Sequence, residues 1–233
     1  MPREPLPDVI AIDGPAASGK STLGFYLAQR LGYLYLDTGC MYRALTLAAI
    51  RHGVPLDDEA ALTALADRID LDVLPLGDET DGRQYTVRLD GQDITWDLRR
   101  PEVDAAVSQV SAVAGVRARM VERQRAVGRR GRVVMVGRDI GTVVMPDAPL
   151  KLYVVATAEE RARRRLRDRY QQGHDDDDYA ATLADVIRRD HIDSTREHSP
   201  LRPAEDSIII DTTGRRVEAS LDEVLSHLDE VAA

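Results

Sequence analysis

The stretch VIAIDGPAASGKSTLGFYLAQRL, Val9 to Leu31, sets an apolar run before a glycine-rich turn and a segment of helical periodicity after it. Its centre, Gly14 to Ser21, fits G-x-x-x-x-G-K-[ST], and a preceding strand and a following helix are the context that pattern requires. Each residue type has a physical reason. Gly14 and Gly19 let the backbone turn its N–H groups inward around phosphate oxygens, and the following helix adds the positive end of its dipole. Lys20 sets a compact, mobile ammonium against the outer phosphates, and Ser21 offers a hydroxyl to Mg²⁺. The chain has 31 basic residues, yet Lys20 and Lys151 are its only lysines. Arginine's rigid fork would fit the tight turn poorly, which explains the exception. Gly14, Pro15, Ala16, Ala17, Ser18, Gly19, Lys20, Ser21 and Thr22 are therefore expected to bind ATP or a similar triphosphate. The loop does not say what receives the phosphate.

Outward from this turn, apolar runs alternate with helical periodicity. VIAI is followed by a helix over 20–31, YLYLD by a helix over 38–51, and RVVMV, KLYVVA and SIIID come later. That rhythm is βαβ and predicts an α/β fold, a parallel sheet covered by helices on both faces. Gly32 and Gly53 follow helices, while Thr157 with Glu160 and Ser220 with Glu223 have capping-box spacing. Between about Asp57 and Arg100 the rhythm breaks. There LDVLPL and QYTVRLDGQDIT, with an Asp90-Gly91 turn, read as a small antiparallel hairpin set before Pro101 opens another helix. A second polar excursion, ERARRRLRDRYQQGHDDDDY, has the charge of a mobile flap over a site; Asp175 to Asp178 read better as a solvated acidic loop.

Composition narrows the class. With 233 residues and 43% hydrophobic content, one domain can bury a full core. Neither a signal-peptide core nor an apolar stretch near membrane-spanning length is present, so a cytoplasmic location is expected and no membrane partner. Cys40 is the single cysteine and reads as buried filler. A net charge of −9 argues against coating nucleic acid, which needs many phosphates neutralised by a positive surface. The arginines are nonetheless clustered, at Arg161 to Arg169 and Arg188 to Arg196, which suits a local anion site.

Four segments bear on the acceptor. YLDTGCMYR places Asp37 at the carboxyl end of the second strand, the sheet edge where ligands sit in open α/β folds, with Thr38 as helix N-cap and Arg43 within reach of an acceptor phosphate. VVMVGRDIGTVV puts Gly137-Arg138-Asp139 just past a buried strand. Arg138 and Asp139 either form a mutual salt bridge or take phosphate and a substrate donor respectively. In RRDHIDSTREHSP, Arg189, Asp193 and Arg196 stand at i, i+4 and i+7 on one helix face, a spacing that exposed ion pairs would also produce. Arg161, Arg164 and Arg165 share a side of the preceding segment, where a guanidinium-bearing flap could close over transferring phosphate.

Taken together, IDGPAASGKST, LDTGCMYR, SQVSAVAGVR, GRDIGTVVMPDAP, ERARRR and RDxxDxxR, in that order, resemble the bacterial cytidylate kinases within the nucleoside monophosphate kinase family. The resemblance covers nearly the whole chain. It implies a P-loop kinase: a five-stranded parallel core over 6–56, 101–157 and 200–233, an inserted acceptor-binding subdomain over 57–100, and a helical lid over 158–199. The implied reaction is transfer from ATP to CMP or dCMP with Mg²⁺. It also implies that Ser108, Arg117 and Asp139 read the cytosine ring, and that Arg43 and Arg138, with Thr38 nearby, take the acceptor phosphate. Arg189, Asp193 and Arg196 would serve ribose and phosphate; Lys20, Arg138, Arg161, Arg164 and Arg165 would be catalytic. The base assignment is chemically sound, because cytosine N4 donates and an ionised Asp139 can only accept. One position departs: the family carries Asp or Glu just before Gly-Arg-Asp, and this chain has Val136. A carboxylate role in the Mg²⁺ shell would then fall to Asp37 or Asp13 beside Ser21, or be lost.

The expected protein is a monomer acting on small molecules. A close rival is a related P-loop kinase for UMP, AMP or a hydroxy acid. A rival of another class is a nucleotide switch of the GTPase type; that needs an Asn-Lys-x-Asp motif, and the chain contains no asparagine. An ATP-binding module that never transfers phosphate stays open at the level of sequence.

Overall fold

In the computed structural model the described residues are 6–171 and 178–231. Strand β1 (Val9–Asp13), every residue of it buried, lies at the centre of a five-stranded sheet ordered β2-β6-β1-β7-β8. Its neighbours are β6 (Val133–Gly137) and β7 (Leu150–Val155); β2 (Leu34–Asp37) and β8 (Ile208–Asp211) form the edges. All pairings are parallel. Asp13 pairs with Gly137, and Asp37 with Val136, so three strands end almost level and their loops leave from one edge. That shared edge explains why distant sequence segments meet in one site.

Helix α1 (Lys20–Leu31) crosses from β1 to β2, and α2 (Gly39–His52) follows β2. Both end at the expected glycines: Gly32 and Gly53 return their amides to the last-turn carbonyls. Ile10, Ile12, Leu23, Leu27, Val136 and Val154 form the core between α1 and the sheet, which α8 (Val217–Val231) extends through Val224 and Leu228. A second core joins α2 to the inserted segment, where Leu45, Leu62, Val87, Ile94 and Met120 pack together. Val87 and Ile94 are fully buried, each contributing about 2 kcal/mol by area, so the insert is anchored on α2.

The insert departs from the expected hairpin set in one respect: it opens with a helix, α3 (Glu59–Arg68). Asp58 accepts from the Ala61 amide at 2.9 Å, and Leu62, Leu65 and Ala66 give the buried i, i+3, i+4 stripe. The expected hairpins follow as β3 (Leu71–Pro75), β4 (Tyr85–Leu89) and β5 (Gln92–Asp93), with Asp90 and Gly91 both at positive φ, 50° and 77°. Pro101 opens α4 (Pro101–Ala112), and α5 (Ala114–Gly128) leads into β6. Helices α6 (Ala158–Gln171) and α7 (Tyr179–Thr195) pack against each other beyond β7.

Two caps differ. Thr157 caps the Glu160 amide at 3.3 Å as read, but Ser220 lies inside α8, which begins at Val217; its hydroxyl is buried and caps nothing. The acidic run expected at 175–178 lies largely outside the described residues; Asp178 caps α7 by accepting from Ala181 at 2.9 Å.

Candidate active site

The turn after β1 is closed by packing. A Cβ on Gly14 would stand 2.1 Å from the Val154 carbonyl oxygen, so only glycine fits where β1 meets β7. Ala17, at φ 59°, holds a left-handed conformation that side chains rarely adopt, which marks backbone bent to a task. Lys20 opens α1 and folds its buried ammonium back onto the Pro15 carbonyl at 2.9 Å. Burial, and then Arg138, push that ammonium down to about 8, while Asp37 and Asp193 pull it upward. Ala16, Ala17, Gly19, Lys20, Ser21 and Thr22 line a cleft of about 730 Å³.

Beside Lys20, the Ser21 hydroxyl donates to Asp37 Oδ2 at 3.0 Å, and Asp37 Oδ1 accepts from the Gly39 amide at 3.0 Å. A hydroxyl and a carboxylate together at the wall of a polar cleft are the hard oxygen donors that Mg²⁺ takes while keeping several waters. Asp13 is placed differently. It is buried, and its two oxygens accept from the Ile140 and Gly141 amides at 2.8 and 2.7 Å. Val136, where a family carboxylate was expected, is fully buried against α1: a Cβ on Gly24 would stand 2.5 Å from it. Among the described residues no group of three or more His, Cys, Asp or Glu side chains could hold a metal by itself.

The same cleft is lined by every residue expected for the acceptor: Thr38, Arg43, Ser108, Arg117, Arg138, Asp139, Arg189, Asp193 and Arg196. Arg117 on α5 and Asp139 form a buried ion pair. Arg117 also donates to the Ser111 carbonyl at 3.3 Å and sits over the Tyr42 ring, 5.5 Å from its centroid. Arg138 turns away from its sequence neighbour Asp139 and pairs with Asp193, so the mutual Arg138–Asp139 bridge does not form. Arg43 binds the Leu98 carbonyl at 3.0 Å and Asp104 at 2.7 Å.

Thr38 stands at the helix start without capping it; its hydroxyl donates to the Val136 carbonyl at 3.0 Å, fixing β2 to β6. Arg196 is not on the α7 face. The helix ends at Thr195, and Arg196 follows it in extended conformation, donating to the Ser199 carbonyl at 2.6 Å. One buried Arg196 nitrogen has no partner. Arg189 makes no ion pair among the described residues, and burial followed by Arg138 and Arg165 lowers its guanidinium to about 10. Destabilised cations at a cleft wall are prepared for an anion.

The arginines of α6 divide. Arg164 and Arg165 line the cleft with Arg167 and Asp168. Arg164 donates to the Thr212 carbonyl at 2.6 Å and its hydroxyl at 2.9 Å, and that hydroxyl donates to the Ser18 carbonyl at 2.7 Å. Arg165 pairs with Asp185 of α7 at 2.9 Å. Arg161 does not line the cleft. It is buried in a two-pronged pair with Asp190 of α7 and reaches the Ala16 carbonyl at 3.3 Å, so it ties α6 and α7 to the phosphate loop.

Tyr42, Thr212, Asp190 and Trp96 of the insert are given no role by the sequence reading, although Tyr42 and Asp190 stand inside its motifs. Thr212 directly follows β8 at the same carboxyl edge as Asp37 and Arg138, so the edge rule would have found it. Asp190 is the first aspartate of RDxxDxxR, yet it lies off the face shared by Arg189 and Asp193, so its partnership with Arg161 could not be read from spacing.

A sequence profile of the family described as Cytidylate kinase matches residues 10–230. A cytidylate kinase of Roseiflexus castenholzii is 56% identical over 187 residues, 80% of this chain and 80% of its own. One from Symbiobacterium thermophilum is 49% identical over 219 residues, covering 94% and 95%, and one from Bacillus pumilus 45% over 222 residues, covering 95% and 96%. An uncharacterized protein from Eubacterium ventriosum shares the fold at a TM-score of 0.50 and 14% identity, with 95% and 98% of the chains covered. With the profile matched over almost its full length and relatives near half-identical along it, the chain belongs to the cytidylate kinase family.

Proposed function

We propose that the chain transfers the γ-phosphoryl group of ATP to CMP or dCMP, giving ADP and CDP or dCDP. One observation carries the reading. A single cleft is lined both by the phosphate loop with Lys20 and by the buried Arg117–Asp139 pair, Arg43, Arg138 and Arg189. We assign residues 57–100 as the acceptor-binding insert and 158–199 as the lid. We take the enzyme as a cytoplasmic monomer that acts on small molecules.

Asp139 Oδ atoms accept from cytosine N4, while Arg117 pairs with that carboxylate and donates to the ring. Uracil offers O4 at that place, so an acceptor would meet an acceptor. An unpaired buried polar group costs about 1–3 kcal/mol, hence roughly 10- to 100-fold discrimination per contact. Arg43 and Arg138 orient the acceptor phosphate, one oxygen of which attacks the γ-phosphorus as the bond to the β-phosphate oxygen breaks in line. Lys20, the loop amides and the lid arginines Arg164 and Arg165 stabilise charge spreading over the transferred group. Arg161 acts from behind, holding lid and loop together. Ser21 and Asp37 would hold Mg²⁺, which when bound neutralises donor phosphate charge. No protein nucleophile is required.

The test is ADP release in a coupled assay with CMP, dCMP, UMP and AMP as acceptors. CMP and dCMP are expected to lead. Equal turnover of UMP removes the base assignment, and no turnover of any acceptor removes the kinase reading.

A further inference from the structure

Asp13 stands one residue before the phosphate loop, and its carboxylate is taken up by the backbone of another segment. Both oxygens are taken by consecutive amides, Ile140 at 2.8 Å and Gly141 at 2.7 Å, immediately after Asp139. Residues Ile140–Val144 form a single wide π-type turn, a geometry that side-chain packing must hold in place. Its far end is gripped as well: Arg125 donates to the Val143 carbonyl at 2.7 Å and the Val144 carbonyl at 3.0 Å. Gly141 is further hemmed in by Lys151, where a Cβ would meet the lysine side chain at 3.2 Å. The segment bearing Arg138 and Asp139 is thus fixed to the central strand by one carboxylate, and that strand runs directly into Gly14 and Lys20.

We propose that Asp13 is a positioning residue that sets the register of the Arg138–Asp139 turn against the phosphate loop, and so places CMP in line with ATP. The inference rests on the cytidylate kinase reading above. Asp13 is buried and is not among the residues lining the cleft. An acceptor-only carboxylate suits two converging N–H donors. An amide of the same shape would present its own NH₂ to one of them, and the turn would shift. A displacement near 1 Å at a reacting group is enough to cost on the order of 100-fold in rate.

The experiment compares wild type with Asp13→Asn in the full chain. It measures KM and kcat for CMP and UMP, binding of a non-hydrolysable ATP analogue, and thermal melting. Expected for Asp13→Asn are a 10- to 100-fold fall in kcat/KM for CMP and a narrowed CMP/UMP ratio. Analogue affinity should stay within about threefold, because β1 and α1 hold the loop without the side chain. Arg125→Gln loosens the other end of the same turn. It is expected to lower the CMP/UMP ratio in the same direction, which keeps the inference testable if Asp13→Asn does not fold. An unchanged CMP/UMP ratio in the folded variants, or a loss of activity that only follows a loss of folded protein, overturns the inference. If wild type itself fails to turn over CMP, the fault lies with the underlying reading instead.

Discussion

Replacing Asp139 by asparagine separates base recognition from folding. Asp139 and Arg117 are each about 5% exposed, and removing one partner of a buried pair costs about 3–5 kcal/mol. Asparagine keeps one acceptor oxygen, and Arg117 keeps the Ser111 carbonyl and the Tyr42 ring, so about 3 kcal/mol is the better expectation. For a domain of this size that lowers Tm by roughly 6–12 °C, leaving the variant folded at 25 °C. Catalysis should suffer separately. The amide donates where the carboxylate accepted, so CMP loses about 1–3 kcal/mol, a fall of roughly 10- to 100-fold in kcat/KM. UMP loses less, since an amide N–H can reach its O4. The quantity to measure is the CMP/UMP ratio of kcat/KM in one preparation, because the fraction of active enzyme cancels. A variant with lowered Tm and an unchanged ratio would refute the assignment of Asp139 to the base.

Other expectations follow from the same geometry. Lys20→Arg should lower kcat by about 100-fold or more with an unchanged circular dichroism spectrum, because the wider guanidinium cannot fold over the loop. Asp37→Asn should raise the Mg²⁺ concentration giving half-maximal activity by roughly tenfold, read by titration at fixed ATP. Trp96 is the only tryptophan and lines the cleft about half exposed, so nucleotide binding should change its emission. Saturating CMP and ATP analogue with no spectral change would remove the insert from the site. Burial lifts the Asp13 carboxyl to about 6. The proton therefore favours the folded state, a contribution complete below the unfolded pKa near 3.8 and lost as pH rises through about 6. Asp13→Asn cannot titrate, so its stability relative to wild type should rise by about 2 kcal/mol between about pH 4.5 and 7.5 in denaturant unfolding.

The sheet and its loops were legible because the deciding signals are local. Strand, glycine turn and helix adjoin in Val9 to Leu31, and the glycines after α1 and α2 act on the adjacent turn. Helix α3 was missed since its stripe, Leu62, Leu65 and Ala66, is short and lies in a stretch read for its strands. Site membership was legible wherever a residue left a strand at its carboxyl edge, as Asp37 and Arg138 do. Partnership was not: Arg138 meets Asp193 and Asp139 meets Arg117 across 55 and 22 positions, distances that no periodicity encodes. The division of α6 into cleft-facing Arg164 and Arg165 and inward Arg161 depends on where α7 packs, which is a tertiary fact.

The internal ion pairs of Arg43, Arg138 and Arg165 have a consequence for selection among anions. Because each of these three guanidiniums already holds a carboxylate from its own chain, nucleotide entry at them is an exchange of counter-ions, while Arg189 beside them makes no ion pair among the described residues. The resident carboxylates are tethered and compete at high effective concentration, so a lone sulfate or phosphate gains little by displacing one. Only a ligand that replaces several of them together, with its base seated as well, tips the balance. An acidic protein of charge −9 thereby keeps an arginine-rich cavity without becoming a sink for every polyanion around it.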